Sequence, residues 1–221
     1  MTTSGRWLRD ALLRPSLRLV PATPASDGDD DVALVQGLVE ERDWAVRSFW
    51  RRYVPLVYGI LDRALGSPSE SEDLTQEVLF DLFRGIKRLR DPGSLRSFVV
   101  ACTVLRLRRH LRWMRVRRFL TLSETGTVPE QPTTGPDGPA RDLLRRLYGM
   151  FDTLSAEDRT AFLLRNIEGF SVLEIAKVTE ASPATVKRRI RRAALRVEAF
   201  ARSDPDLAEY LMVRSDAGKE A

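Results

Sequence analysis

A single stretch divides this chain in two. Residues 121–140 hold four prolines, three glycines and five threonines, and no lysine or arginine. Such a composition buries too little apolar surface to fold alone, and its prolines and glycines interrupt helices and strands alike. Whatever folds must fold on either side of it. Residues 1–29 are the other breaker-rich region, with Pro15, Pro21 and Pro24 ahead of the acidic run Asp27–Asp31. They read as a flexible arm with room for a short helix at Trp7–Leu13. The arm is rich in arginine but lacks the apolar centre of a secretory signal.

Both flanking regions carry helical spacing and almost no strand signal. The expected fold is all-α: two small helical domains joined by a flexible linker. The expected boundaries are arm 1–29, first domain 30–118, linker 119–140, second domain 141–200 and tail 201–221. In the first domain Val32, Val35 and Val39 mark an opening helix. Asp43 starts a second, with Val46, Phe49, Tyr53, Leu56 and Ile60 on its inner face and a kink or restart at Pro55. Gly66-Ser67-Pro68 ends it. Ser69 or Ser71 opens a third helix with the stripe Leu74, Val78 and Leu82. Ser94 caps a fourth, running to about Arg118, with Leu95, Phe98, Cys102 and Leu105 inward.

In the second domain Leu143, Leu144, Leu147 and Phe151 mark a first helix. Ser155–Asp158 and Ser171–Glu174 resemble capping boxes, and Gly169 is a helix stop between them. Glu180-Ala-Ser182 is a tight turn. Ser182 then caps a helix that starts at Pro183 and carries Val186, Ile190, Ala193, Ala194 and Val197. Two helices across a tight turn, the second strongly basic, form a helix-turn-helix pattern. A short helix at Leu207–Met212 is expected in the tail.

Composition excludes several chemistries. The chain has 221 residues, a formal charge of +5, one cysteine and one histidine. Cys102 has no partner for an internal disulfide, which suits a reducing, cytoplasmic setting. One Cys and one His make a poor metal site, and His110 lies among arginines, a poor place for a general base. No cofactor, metal or small-molecule substrate is expected. No apolar run approaches the ~20 residues that span a bilayer, so no membrane insertion is expected. A basic chain suits a polyanionic partner.

Three side-chain clusters carry chemistry. Glu70, Glu72, Asp73, Glu77 and Asp81 fall within twelve residues without a basic residue among them. Asp73, Gln76 and Glu77 share one helix face beside the inward Leu74. Such a face suits docking against a basic protein surface. Seven arginines then fall in fourteen residues, Arg106, Arg108, Arg109, Arg112, Arg115, Arg117 and Arg118, with His110, Trp113 and Phe119 interleaved. Cations this dense suit a polyanion, and the aromatics suit stacking on unpaired bases. The last cluster is Thr185, Lys187, Arg188, Arg189, Arg191, Arg192 and Arg196. In a helix-turn-helix these positions enter the major groove, where arginine pairs bidentately with guanine and the remaining cations hold phosphates.

Ser71-Glu-Asp-Leu-Thr-Gln-Glu-Val78 resembles the EDLxQEVF signature of extracytoplasmic-function (ECF) sigma factors. Leu154–Ser171, Glu174-Ile-Ala176 and Thr185-Val-Lys187 resemble the second domain of the same family, in the same order and spacing. The resemblance covers about 30–118 and 141–200. It implies a promoter-specificity factor with no catalytic residues of its own. Asp73, Leu74, Gln76 and Glu77 would dock on the coiled-coil clamp of core RNA polymerase. The Lys87–Ser97 loop and the helix after it, with Arg106, Arg109, His110 and Arg112, would open and read the −10 element. Thr185, Lys187, Arg188, Arg189, Arg191 and Arg192 would read the −35 element. The linker would thread toward the polymerase channel, and an anti-sigma protein would be a further partner.

This sequence departs from the family in three places. Phe98 stands where Trp is common. Ala101–Arg112 replaces the common IARNxxxDxLRR stretch. Glu180 stands at the usual turn glycine, so a turn of different shape is expected, since a left-handed non-glycine residue costs about 1–2 kcal/mol. Two rivals remain in the sequence. A stand-alone helix-turn-helix regulator would have no use for the acidic 70–81 face. An enzyme acting on nucleic acid would need paired carboxylates or metal ligands beside the basic helix.

Overall fold

The computed structural model describes residues 28–125 and 139–204, with eight helices and no strand among them. The arm before Gly28, the centre of the linker and the tail helix at Leu207–Met212 lie outside the described residues. Helices α1 (Gly28–Val39), α2 (Asp43–Leu65), α3 (Pro68–Gly85) and α4 (Leu95–Thr125) form a first module. Helices α5 (Pro139–Asp152), α6 (Ala156–Asn166), α7 (Val172–Thr179) and α8 (Pro183–Ser203) form a second.

The inner face of α1 is Leu34, Val35 and Leu38, while Val32 and Val39 are exposed. Of the valine stripe expected there only Val35 is turned inward, and Leu34 and Leu38, which bury more apolar area, complete the inner face in place of Val32 and Val39. Asp31 is fully buried on the same face, 3.2 Å from the Arg52 guanidinium and accepting from the Tyr53 hydroxyl at 3.1 Å. Helix α2 runs unbroken through Pro55. Pro55 is exposed, so solvent can take the carbonyl that its missing N–H leaves over. Phe49, Tyr53, Val57, Ile60 and Leu61 are buried, whereas Val46 is exposed.

Ser67, not Ser69 or Ser71, caps α3 and Pro68 takes its first position. The capping side chain has moved back because Gly66 ends α2 in the left-handed region, at φ 72°. A Cβ at Gly66 would fall 2.5 Å from the Tyr148 ring, so close approach as well as φ demands glycine there. Asp91, rather than Ser94, accepts the N–H that starts the next turn, and Pro92–Ser94 leads straight into α4. Helix α4 continues to Thr125, past the Arg118 where its sequence pattern fades.

Helix α4 buries Leu95 and Val99 in one row and Val100, Val104, Leu107 and Leu111 in the next, and leaves Leu105 exposed. Two adjacent rows are covered because two modules meet on this helix. Helices α2 and α3 pack on it from one module, and α6 and α7 from the other. Arg63 of α2 meets Glu168 through two hydrogen bonds of 2.5 and 2.9 Å. Arg159, 3% exposed, donates to Ala64 O at 2.5 Å and to Asp152 at 2.6 Å. Arg96 lies over the Phe170 ring, 5.1 Å from its centre.

The helix-turn-helix follows from its caps. Ser171 and Glu174 form the reciprocal capping box of α7. Ser155 accepts from Asp158 N, but the Asp158 carboxylate turns to Arg192 and the box stays half made. Ser182 caps α8 and Pro183 begins it. Glu180 adopts φ 51° and ψ 42°. The turn thus keeps the shape a glycine would give it, contrary to the sequence expectation. Ala181 N donates to Ala176 O and Glu180 N to Lys177 O, the paired bonds of a Schellman ending. Those bonds, and an exposed Glu180 side chain, hold the residue in a conformation it does not favour. Glu180→Gly is therefore expected to stabilise the fold by up to about 1 kcal/mol, the left-handed cost less the added freedom of the unfolded chain. Chemical denaturation measures it, and a loss of stability would show that no strain resides there.

Candidate protein and nucleic-acid interfaces

On α3 the residues Asp73, Gln76 and Glu77 are exposed, and Leu74, 3% exposed, lies in the core beneath them. Leu74 thus supports this face from behind instead of forming part of its surface. Glu77 and Asp81 accept from Arg106 of α4 at 2.8 and 2.6 Å. The Arg106 guanidinium holds the Asp81 carboxyl below its ordinary value, against a small opposing effect of burial. Arg106 thereby ties α4 to the acidic face and offsets part of its charge. Phe80 is 61% exposed among these groups, with the Arg84 guanidinium 5.0 Å from its ring centre. Sequence reasoning passed over Phe80, although its position one turn after Gln76 and Glu77 places it on the same face.

The α4 arginines separate into three groups. Arg106 faces α3. Arg108 and Arg112 face α6, where both reach Glu157, at 3.4 and 3.0 Å, and Arg108 also reaches Thr179 O at 3.4 Å. Burial pushes the Glu157 carboxyl up, but its hydrogen bonds, including those from Arg112 and Arg108, outweigh burial and hold it below the usual range. Arg109, Arg115 and Arg117 are exposed together with Trp113, and Arg117 lies 5.2 Å from the Trp113 ring centre. His110 Nε2 is 3.7 Å from Glu70, beyond hydrogen-bond distance, and it is the main influence lowering the Glu70 carboxyl. Cys102 is half-buried near Asp81, and burial pushes its thiol up to about 11. The side chains of Arg118 and Phe119 lie outside the described residues.

On α8, Val186 is fully buried and Ile190 partly buried, which turns Lys187, Arg188 and Arg191 outward as exposed side chains. Thr185 is half-buried, and its hydroxyl accepts from Ser182 at 2.9 Å. Arg189 is half-buried. Arg192 donates to Asp158 at 2.7 Å, and Arg196 donates to Thr153 O at 2.9 Å. Two cations that the sequence assigns to the basic surface thus also brace α8 against α6 and the turn that precedes it. Among the described residues no cluster of His, Cys, Asp and Glu could hold a metal ion, and no helix is long and apolar enough to cross a membrane.

A tight turn between two capped helices, the second presenting a cationic outer face, defines a helix-turn-helix DNA-binding protein. The family comparisons carry the assignment further. Residues 49–115 match the family Sigma-70 region 2, and residues 144–197 match Sigma-70, region 4. The ECF RNA polymerase sigma factor SigK of Mycolicibacterium vanbaalenii is 28% identical over 168 residues, covering 72% of this chain and 83% of that protein. The ECF RNA polymerase sigma factor SigE of Mycolicibacterium smegmatis is 31% identical over 144 residues, 64% of this chain and 56% of that protein. Among solved structures, the fold is similar to the sigma factor RpoE of Bartonella quintana, determined in complex with the anti-sigma factor NepR. That match has a TM-score of 0.56 and 19% identity over 72% of this chain and 98% of the other. This chain belongs to the sigma-70 family, in its extracytoplasmic-function group. It is a sigma factor, which binds core RNA polymerase and directs transcription initiation at promoters through −10 and −35 elements. The stand-alone regulator is not favoured, because such a protein has no region 2.

The Asp158–Arg192 pair yields a stability test. Arg192→Ala would leave the Asp158 carboxylate, whose residue is only 8% exposed, without its cation. The expected loss is about 1–3 kcal/mol. It should be read by thermal unfolding and should shrink in an Asp158→Asn background. An unchanged melting curve would assign Arg192 to DNA alone.

Proposed function

We propose that the sigma activity is divided between the two modules, residues 30–118 and 141–200, and that each of its contacts falls on particular residues. The polymerase clamp docks on Asp73, Gln76 and Glu77. Arg109 and Arg112, with Arg106 and His110 behind them, line the path of promoter DNA near the melted −10 region. Thr185, Lys187, Arg188, Arg189 and Arg191 meet the −35 element, with Arg192 and Arg196 at the edge of the contact. One observation carries this reading: a single chain presents an exposed acidic helix face in one module and an exposed cationic recognition helix in the other. An acidic face repels DNA and suits a basic protein surface, whereas the α8 face suits DNA.

The chain works by binding, and polymerase supplies the phosphodiester chemistry. An anti-sigma protein is a further partner, a reading supported by the complex in which the similar sigma factor was solved. The setting is the cytoplasm, where polymerase and promoter DNA are found.

Asp73→Lys with Glu77→Lys is expected to weaken binding to core polymerase by at least about tenfold, since like charges would then face each other across a docked interface. Glu77→Lys also removes an ion pair whose acid is half-exposed, worth at most about 1 kcal/mol, so the fold should survive. Titration with core polymerase, paired with circular dichroism, reads both effects. Undiminished affinity would remove the docking role from these residues.

The recognition helix is tested by transcription from a panel of single-base −35 variants. Arg188→Ala should relax preference at one or two positions by about 1–3 kcal/mol if its contact is bidentate to guanine. An equal drop on every promoter would make Arg188 a phosphate contact.

A further inference from the structure

Helices α5 and α8 leave an open groove of about 590 Å³ along one side of the second module. Met150, 7% exposed, and the half-buried Phe200 lie deepest in it, the exposed Gly149 and Ala199 stand beside them, and Arg146 and Arg196 form its rim. Gly149 falls in the interior of α5, where glycine costs more conformational entropy than alanine. A Cβ at this position would meet no described atom within 4 Å, so no described neighbour calls for glycine there. Gly66 is the contrast, since the Tyr148 ring excludes any side chain from it. A glycine facing an open apolar groove suits the close approach of a further segment.

The chain leaves α8 beside this groove. Asp204 ends the helix at φ −104° and ψ 108°, with its N–H donating to Phe200 O. Its residue is 7% exposed and its carboxylate lies 3.2 Å from Arg146 Nε, on the rim. Pro205 follows, and a proline there keeps the helix from resuming in line. The exit of α8 is thus pinned toward α5. Leu207, Tyr210 and Leu211 come next at helical spacing, one apolar face flanked by Asp206 and Glu209, with no cation before Arg214. A helix over 207–212 is about 9 Å long, and the α8 wall from Arg196 to Phe200 about 6 Å, at roughly 1.5 Å per residue. Folded back from Pro205, this segment covers the wall, with its acids toward the two rim arginines. The N-terminal arm, with Arg6, Arg9, Arg14 and Arg18, lacks that charge complementarity.

We propose that the groove between α5 and α8 is the docking site of the chain's own tail, with the 207–212 segment lying antiparallel to the end of α8 and its apolar face on Gly149, Met150 and Phe200. The tail then braces the end of α8 opposite to the one that carries Thr185, Lys187 and Arg188. It also occupies the largest apolar opening of the second module, so that another protein reaches this face only by displacing it. The docking is a property of this chain alone and stands independently of the sigma reading.

The test is backbone hydrogen exchange in the full chain, read by mass spectrometry. Amides of 207–212 are expected to exchange at least about tenfold more slowly than in the isolated tail peptide. Gly149→Leu fills the groove without touching the tail, and it should return those amides to the peptide rate. The converse variant, Tyr210→Ser with Leu211→Ser, changes only the tail, so the helices of the module stay folded. In it the amides around Met150 and Phe200 should exchange about threefold faster or more. Circular dichroism checks that helix content is kept in both. Exchange of 207–212 at the peptide rate in the unaltered chain overturns the docking, and so does protection that survives Gly149→Leu. Protection that appears only as the protein concentration is raised, together with dimers in sedimentation, would make a second copy the occupant and overturn it as well.

Discussion

Helix α4 is the constraint to which everything else in this structure is fitted. It has to close the core of the first module, carry a dense row of arginines and accept the second module on its other side. Two adjacent rows of apolar residues meet the first and last of these demands. Leu95 and Val99 lie in one row, and Val100, Val104, Leu107 and Leu111 in the other. A helix with a wide apolar surface cannot remain bare in water, and burying it on two sides turns two four-helix modules into one continuous core. The buried guanidinium of Arg159 marks the depth of that contact, bonded at once to a carboxylate of its own module and a carbonyl of the other.

The same helix shows why a run of like charge is a poor guide to its own environment. Read as a string, the arginines of 106–118 lack counter-ions. In space, α3 supplies Glu77 and Asp81 to Arg106, and α6 supplies Glu157 to Arg108 and Arg112. Arg109, Arg112, Arg115 and Arg117, with Trp113, keep the exposed character that the string suggested, whereas Arg106 and Arg108 are half-buried. Acids distant in sequence pair with some of these cations, and helix periodicity carries no record of that pairing.

Features that depend on neighbouring residues were legible in the sequence. The Ser171–Glu174 box, the Ser182-Pro183 start of α8, the stop at Gly169 and the shared face of Asp73, Gln76 and Glu77 all follow from local spacing. So did the division into two helical units, because the composition of 121–140 is a local property too. Features that depend on the other module were misread. Leu105 was assigned inward and Val100 passed over, because a one-sided pattern was imposed on a helix buried on two sides. Ser67 was missed as a cap because Gly66 already ended α2 one residue earlier. Glu180 was expected to reshape its turn, yet the paired bonds of the Schellman ending and the packing of α7 against α8 outweigh a local cost of about 1–2 kcal/mol. A kink or restart of α2 was expected at Pro55, yet the helix continues through it, because a proline on the solvent side of a long helix loses only a bond that water can replace.

The single thiol of the chain acquires a use from where it lies. Cys102 sits half-covered beside Asp81, at the seam between α3 and α4, with its ionisation pushed to about 11. At neutral pH only roughly one such thiol in ten thousand is the reactive thiolate. Oxidants and alkylating reagents therefore meet an almost inert group for as long as the seam is shut. Once the seam parts, the thiol regains ordinary acidity and reacts. The rate at which Cys102 is labelled thus counts the openings of α3 from α4, a clock that the chain carries without any added probe.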